Sequence, residues 1–199
     1  MIEHTHRTAF WRSLHTPGHD VALMAPALTG FHLTGMATYL KADGPAAVNY
    51  TIEADEAWQT RRGSLRGIAG GRRFFHTIER KEDGWTLDGK WQGFGEIPDL
   101  DFGFTPATNF QQLTRAALKV GDRAEFPVLW FDLGEEKLTE LPQIYERRDE
   151  KHYWYESPTV GYQAMLEMDE SGFVRIYPEL WVMEERDEPA EVRFARTSG

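Results

Sequence analysis

The amino-acid sequence predicts a mainly β protein built from antiparallel hairpins. Apolar and polar residues alternate along many short runs, which is the period of a strand with one buried face. Residues that favour tight turns separate these runs at hairpin spacing. Of the 199 residues, 41% are hydrophobic and 27% charged, as in globular domains. We therefore expect one β domain over residues 1–199.

The first half of the chain carries the clearest alternation. Val48, Tyr50 and Ile52 share one face of a predicted strand, and the runs 74–78 and 85–91 repeat the pattern. Turn signals stand between the runs at Asp43-Gly44-Pro45, Gly70-Gly71, Asp83-Gly84 and Asp88-Gly89. This order predicts a meander of hairpins.

The second half behaves alike, with one exception. Residues 162–168 alternate, and Ser171-Gly172 predicts the turn into the next strand. The run Phe126–Leu133 is instead apolar on both faces. Such a strand is either buried on both sides or has one side that lines a cavity.

One helix is predicted between these halves. Thr105 can cap it, and Pro106 suits its first position. No helix-breaking residue occurs from Asn109 to Leu118, and Gly121 would end the helix. The charge-rich tail, residues 184–199, is expected to form an edge or a loose end.

A short internal echo leaves a second architecture open. Ile52-Glu53-Ala54-Asp55-Glu56 resembles Leu166-Glu167-Met168-Asp169-Glu170, and Tyr39 matches Tyr153 in offset. If the echo reflects a repeat, the single domain consists of two similar β lobes.

The composition excludes several classes of partner. The net charge is −10, and no basic run is longer than a pair of arginines, which opposes nucleic acid and anionic membrane surfaces. No apolar run approaches the roughly 20 residues of a membrane-spanning helix, and residues 1–12 lack the apolar stretch of a signal peptide. With no cysteine in the chain, we expect a cytoplasmic protein without an integral membrane segment.

Two acidic residues stand out in the densest polar stretch, residues 98–109. Asp99 and Asp101 are two residues apart, so both side chains project from one face of an extended segment. They could contact a polar ligand, divide acid and base roles in a hydrolase or isomerase, bind a hard cation, or only solvate a strand end before a helix.

The predicted helix adds an amide and a cation to this stretch. Asn109 and Arg115 lie on nearly opposite sides of it. Arg115 could form an ion pair with Asp101 or hold an anionic or sugar head group. Arg61 is a further cation that could pair with the acidic residues or contact a ligand.

Signatures of catalysis and of metal or cofactor binding are absent from the sequence. The seven histidines form no helical metal motif, since Pro17-Gly18 separates His15 from His19 and His76 stands alone on an apolar face. No nucleophile elbow or phosphate-binding loop occurs. We therefore expect no catalytic residues, no metal and no cofactor.

Aromatic residues are abundant, with 12 Phe, 7 Trp and 7 Tyr. Tyr145, Tyr153 and Tyr155 combine apolar rings with polar tips, so they could line a ligand pocket or pack in the core. Trp91 and Trp154 are further candidates for a cavity wall.

The stretch Asp99-Leu100-Asp101-Phe102-Gly103-Phe104-Thr105-Pro106-Ala107-Thr108-Asn109 resembles the D-x-D-x-x-x-(S/T)-P-x-T-N centre of a family of bacterial proteins described as putative glycolipid-binding. Further similarity covers Trp11-Arg12, Gly18-His19-Asp20, residues 55–61, Gln143-Ile144-Tyr145 and residues 169–181, in the family's order. The sequence departs from the family after Asn109. The family carries an Ile-Arg-Arg-Leu run there, whereas this chain has Phe110-Gln111-Gln112-Leu113-Thr114-Arg115 and so keeps a single arginine, Arg115.

The resemblance implies a spiral β-roll or curved half-barrel with one or two short helices, similar to lipoprotein-carrier half-barrels. It also implies non-catalytic binding of a lipid or glycolipid in a cavity of the roll. Asp99, Asp101, Thr105, Asn109, Arg115, Arg61, Tyr145, Tyr153 and Tyr155 are then the candidate ligand-binding residues. The alternatives are an enzyme using Asp99 and Asp101, or an interaction protein whose filled core holds no ligand.

Overall fold

Fifteen strands form one open, curled sheet in the computed structural model, which describes residues 6–185. The strands are β1 Arg7–Ser13, β2 Gly18–Ala27, β3 Gly30–Lys41, β4 Gly44–Ala54, β5 Thr60–Ala69, β6 Arg72–Lys81, β7 Gly84–Leu87, β8 Lys90–Phe94, β9 Leu100–Phe102, β10 Arg123–Asp132, β11 Lys137–Arg147, β12 His152–Ser157, β13 Tyr162–Met168, β14 Val174–Tyr177 and β15 Trp181–Met183. The α-helix α1 spans Asn109–Ala116, and Pro158–Val160 form a turn of 3-10 helix. The predicted mainly β, curled fold is confirmed.

The sheet consists of two meanders joined at one seam. Its strand order is β8-β7-β6-β5-β4-β3-β2-β1-β15-β14-β13-β12-β11-β10-β9. The seam is the antiparallel pair β1–β15, in which Trp11 lies opposite Met183 and Ser13 opposite Trp181. Every pair is antiparallel except β9 with β10, which run parallel.

The predicted alternation sets which residues face the concave side. In β4, Val48, Tyr50 and Ile52 are buried inside the curl, whereas Asn49 points outward. The predicted turns occur where expected. Between β5 and β6, Gly70 and Gly71 both adopt left-handed conformations, with φ of 56° and 73°, which other residues adopt only with strain.

The helix is shorter than predicted at both ends. It begins at Asn109 rather than Pro106, because the Thr105 hydroxyl accepts a hydrogen bond from the Ala107 N–H and the hydroxyl of Thr108 bonds Asp101. These contacts hold the preceding residues in buried turns. It ends at Ala116 rather than Leu118, because Ala117 is left-handed (φ 46°) and its N–H bonds the Leu113 carbonyl.

Residues 97–118, which we call the inserted segment, lie inside the curl. The Thr60 N–H donates to the Pro98 carbonyl at 2.8 Å. Gly63 in β5 leaves the room that the Leu100 side chain occupies, since a Cβ there would lie 2.2 Å from a Leu100 methyl carbon. The rings of Phe102, Phe104 and Phe110 join the core. The concave face is therefore largely filled by the protein's own side chains.

Strand β10 is the one that the sequence predicted to be apolar on both faces. The two-faced strand runs over Arg123–Asp132; Val128, Leu129 and Phe131 are buried, and only its last residues border a cavity. Of the tail, only Glu184 and Glu185 belong to the described residues; 186–199 lie outside them. No helix within residues 6–185 is long and apolar enough to cross a membrane.

Candidate functional site

The first carboxylate of the central motif forms an ion pair inside the protein. Asp99 is fully buried, and the Arg115 guanidinium donates to it with Nη2–Oδ2 and Nε–Oδ1 distances of 2.6 and 3.1 Å. Burial raises the pKa of Asp99, and the arginine lowers it in part. Of the two roles considered for Arg115, the ion pair with Asp101 does not form, because α1 places the guanidinium beside Asp99 instead.

Within residues 6–185, the side-chain partners of the second carboxylate are uncharged. Asp101 accepts hydrogen bonds from the Thr108 hydroxyl and, at 2.9 Å, from Gln143 Nε2. Burial raises the pKa of Asp101, and these two side-chain hydrogen bonds lower it in part. Asp101 is therefore a buried acceptor that fixes the inserted segment to β11.

A chain of polar side chains continues from Asp101 along α1 and β11. Asn109 Nδ2 donates to the Tyr145 hydroxyl at 2.6 Å, and this hydroxyl donates to Gln143 Oε1 at 3.2 Å. All three side chains are buried. Tyr155 packs against Tyr145, with ring centroids 4.8 Å apart. These groups satisfy one another, which is the requirement for polar atoms in a core.

A third buried carboxylate lies on the other side of the inserted segment. Asp20, fully buried in β2, accepts hydrogen bonds from the Tyr50 hydroxyl at 2.9 Å and from the Thr105 hydroxyl. Burial raises the pKa of Asp20 to about 7. Gly35 leaves the space for this tyrosine, since a Cβ there would lie 2.2 Å from the Tyr50 hydroxyl. Asp20 thus anchors the inserted segment to the first meander.

The remaining predicted residues lie apart from this network. Arg61 is exposed and donates to the Thr29 carbonyl and hydroxyl at 3.3 and 3.1 Å, so one of the two roles considered for it, a pairing with the motif's carboxylates, does not form. Tyr153 packs under the Arg147 guanidinium, which lies 5.6 Å from the ring centre, and borders a cleft of about 670 Å³ beside α1. Trp91 and Trp154 were the tryptophans predicted for a cavity wall. Trp91 is 56% exposed, and the Trp154 Nε1–H donates to the Glu156 carboxylate.

A separate cavity of about 220 Å³ opens at one end of the sheet. Its walls come from the β1–β2 turn, the end of β3, the inserted segment, the end of β10 with the β10–β11 turn, and the start of β15. We call it the aromatic pocket, because half of its lining residues carry rings, namely His15, Tyr39, Phe104, Trp130, Phe131 and Trp181. None of the predicted site residues lines it.

Polar groups of the aromatic pocket lie on two strands, with Asp132 on β10 and Tyr39 and Lys41 on β3. Asp132 Oδ1 accepts the N–H groups of Gly134 and Glu135 at 2.6 and 3.3 Å, and no hydrogen bond among residues 6–185 engages Oδ2. Lys41 pairs with Asp43 at 3.6 Å. Burial, and secondarily the charges of Asp132 and Asp43, raise the pKa of Tyr39 to about 12, so this hydroxyl keeps its proton.

The buried network supports the pocket. Phe104, which lies in the pocket wall, precedes Thr105, the residue that Asp20 holds. The Phe104 ring stacks against Phe102 at 5.5 Å and contacts the edge of Tyr50 at 5.7 Å. Asp20 and Thr105 therefore position the floor of the pocket without lining it. Among residues 6–185, no three acidic or histidine side chains form a group that could hold a metal ion.

Sequence reasoning located only part of this pocket. The two-faced run Phe126–Leu133 indicated a cavity wall, and Trp130, Phe131 and Leu133 do border the pocket. The contributions of Tyr39, Lys41 and Trp181 were missed. These residues are distant in sequence, and only the β1–β15 seam and the long β2–β3 hairpin bring them together. No local motif could have signalled them.

The family model described as "Putative glycolipid-binding" matches residues 8–183. The chain belongs to this family. The sequence resemblance is thus confirmed, and the motif that carried it proves to be the buried network around Asp99 and Asp101. A crystal structure of a DUF1089 family protein from Pseudomonas aeruginosa has a similar fold, with a TM-score of 0.65 and 24% identity over 89% of this chain and 91% of that chain. The comparison with curated proteins found no match. For this chain, the aromatic pocket is the candidate site.

Proposed function

We propose that the protein binds a glycolipid-type amphiphile without catalysing a reaction, and that the sugar head occupies the aromatic pocket. The observation that carries this proposal is the pocket itself, an open cavity with aromatic walls and a few polar groups. A sugar ring has apolar C–H faces and hydroxyl edges. Tyrosine and tryptophan offer the matching combination of an apolar ring and a polar tip. The family's description supports the same class of ligand.

The size of the pocket sets which part of the ligand enters. Its volume of about 220 Å³ lies below the roughly 300–1,000 Å³ of sites for drug-sized ligands. One sugar ring fits such a space, whereas a ring and a long acyl chain do not. The inserted segment fills the concave face that an acyl chain would need. We therefore place the apolar tail outside the sheet.

Exposed apolar side chains that a tail could cover lie outside the pocket, next to pocket residues in the sequence. Leu40 lies between the pocket residues Tyr39 and Lys41, and Leu14 precedes His15. These two leucines are 51% and 45% exposed. Covering them with a tail would contribute roughly 25 cal/mol for each Å² of apolar surface removed from water.

The two alternative functions fit the geometry less well. An enzyme that used Asp99 and Asp101 would need them beside a cavity, but both are buried in hydrogen-bonded contacts and neither lines the aromatic pocket. An interaction protein with a filled core accounts for the inserted segment. It does not account for an open pocket walled by Tyr39, Trp130 and Trp181.

Calorimetry with n-octyl β-D-glucopyranoside below its micellar concentration tests the proposal. Methyl β-D-glucopyranoside and n-octanol separate the contributions of head and tail. We expect saturable binding of the octyl glycoside, weaker binding of the methyl glycoside and the weakest binding of octanol. Absence of saturable binding by any sugar-containing probe would contradict the proposed function.

Substitution of tryptophans locates the site. Trp130→Ala removes a pocket wall and should weaken binding about tenfold, the equivalent of a lost ring contact. Trp91→Ala is the matched control, because Trp91 is exposed and does not line the pocket. Equal binding by both variants would place the ligand elsewhere. Far-UV circular dichroism checks that both variants remain folded.

A further inference from the structure

The charges around the aromatic pocket are unevenly paired. Lys41 pairs with Asp43 at 3.6 Å, Lys137 with Glu135, and Arg72 with Glu136 at 3.3 Å. Each cation near the pocket thus has its own carboxylate. Asp132 has none, because no salt bridge among the described residues 6–185 includes it. Asp132 is therefore the carboxylate of the pocket wall that has no salt-bridge partner; Lys137, opposite it in the β10–β11 pair, attracts its charge but forms its salt bridge with Glu135.

The backbone fixes this carboxylate in place. Its Oδ1 accepts two N–H groups of the β10–β11 turn, which leaves Oδ2 to accept further hydrogen bonds. Asp132 is half-buried, and its charge helps to raise the pKa of Tyr39 across the pocket. The carboxylate therefore acts on groups inside the pocket despite the surrounding solvent. The net charge of −10 adds to a negative field there.

We infer that Asp132 is the residue that determines head-group specificity: it accepts hydrogen bonds from the hydroxyls of an uncharged sugar and repels anionic head groups. This inference rests on the proposed function, since it requires that the head enter the aromatic pocket. An ionised carboxylate accepts strong hydrogen bonds from hydroxyl groups. Placed beside a second anion, it imposes a penalty without a compensating contact.

The ligand class that follows is a neutral glycosyl head on an apolar tail. Sulfated, phosphorylated or uronic acid heads belong to the class that the pocket rejects. Lys41 also lines the pocket, and its pairing with Asp43 at 3.6 Å offsets part of the attraction that it would exert on an anionic head. The Tyr39 hydroxyl, which keeps its proton and lines the same pocket, can donate to a sugar oxygen.

A pair of probes that differ only in charge tests the inference. n-Octyl β-D-glucopyranoside and n-octyl β-D-glucuronide share the ring and the tail, but the second carries a carboxylate at C6. At pH 8 and low salt, we expect the neutral probe to bind at least about tenfold more tightly. Raising the salt concentration should narrow the difference by screening.

Asp132→Asn assigns the discrimination to this residue. The amide oxygen can still accept the N–H groups of Gly134 and Glu135, so the turn keeps its hydrogen bonds. We expect the preference for the neutral probe to fall below about threefold, mainly because the glucuronide binds more tightly. Asp83→Asn is the matched control, since Asp83 is exposed in the β6–β7 turn and makes the same change in net charge away from the pocket.

The possible outcomes separate the inference from the function on which it rests. Equal affinities for the two probes, or a preference that Asp132→Asn leaves unchanged, would overturn the inference and leave sugar binding intact. Failure of both probes to bind would remove the proposed function and the inference with it. A loss of discrimination in Asp132→Asn but not in Asp83→Asn would support both.

Discussion

Asp99 lies wholly inside the protein, where its charge depends on the Arg115 guanidinium. The ion pair joins the strand before the helix to the last turn of α1. Arg115→Ala would leave a buried carboxylate without its cation, so we expect a loss of about 3–5 kcal/mol in the free energy of unfolding at pH 7. Urea denaturation measures it. The control is Arg123→Ala, an arginine that is half exposed and pairs with Glu146 and Glu156, for which the loss should stay below about 1 kcal/mol. Equal losses would show that the Asp99 pair is no more than a surface contact.

Asp20 makes the free energy of unfolding depend on pH. Burial raises its pKa from 3.8 to about 7. The folded protein therefore holds the proton more tightly than the unfolded chain does. The resulting stabilisation is complete below about pH 4 and is lost as the pH rises to about 7, by an amount near 4 kcal/mol.

Asp20→Asn tests this dependence, because an amide does not titrate but still accepts hydrogen bonds from Tyr50 and Thr105. The measurement is the free energy of urea unfolding at pH 4.5, 6 and 8 for both proteins. We expect the wild type to lose stability relative to Asp20→Asn as the pH rises. The other buried carboxylates are present in both proteins, so their contributions cancel. A difference that does not change with pH would mean that Asp20 is ionised throughout.

At the scale of elements, the inserted segment depends on space left by β5. Gly63 faces the concave side beneath Leu100 and Phe102. Gly63→Val would place a side chain where the Leu100 methyl group lies, and overpacking of this kind costs about 1–3 kcal/mol. Thermal denaturation measures the loss. Ser64→Val is the control, because Ser64 is the next residue on the outward face of the same strand. A Gly63 variant as stable as the control would mean that the segment moves aside freely.

The elements also differ in how well they can be predicted from the sequence. Strands such as β4 and the turn at Gly70-Gly71 could be predicted, because alternation and left-handed glycines act over a few residues. The start of α1 was predicted three residues early, since the Thr108 hydroxyl bonds Asp101 instead of capping the helix. The parallel pair β9–β10 had no local signal, because a three-residue strand is fixed only by tertiary contacts. The same holds for the aromatic pocket, whose walls come from five separate parts of the chain.

At the scale of the whole molecule, the two meanders share one interior. The inserted segment bonds both of them: Gln111 donates to Thr60 of β5 at 3.1 Å, and Asn109 donates to Tyr145 of β11. The seam adds a second connection, since the buried Trp11 of β1 donates to the Val174 carbonyl of β14 at 2.7 Å. Loss of either meander would therefore expose the core of the other.

We expect residues 6–185 to unfold in one cooperative transition, as a single domain requires. Hydrogen exchange measured by mass spectrometry along a urea titration can follow peptides from β4–β6 and from β11–β13 separately. Both sets should lose protection at the same urea concentration, because they share the inserted segment and the seam. Trp11→Ala, which removes a buried contact at the seam, should shift both midpoints together by the same amount. Separate midpoints, or a shift confined to one set, would instead indicate two independently stable lobes. That result would favour the internal repeat that the echo between residues 52–56 and 166–170 suggests.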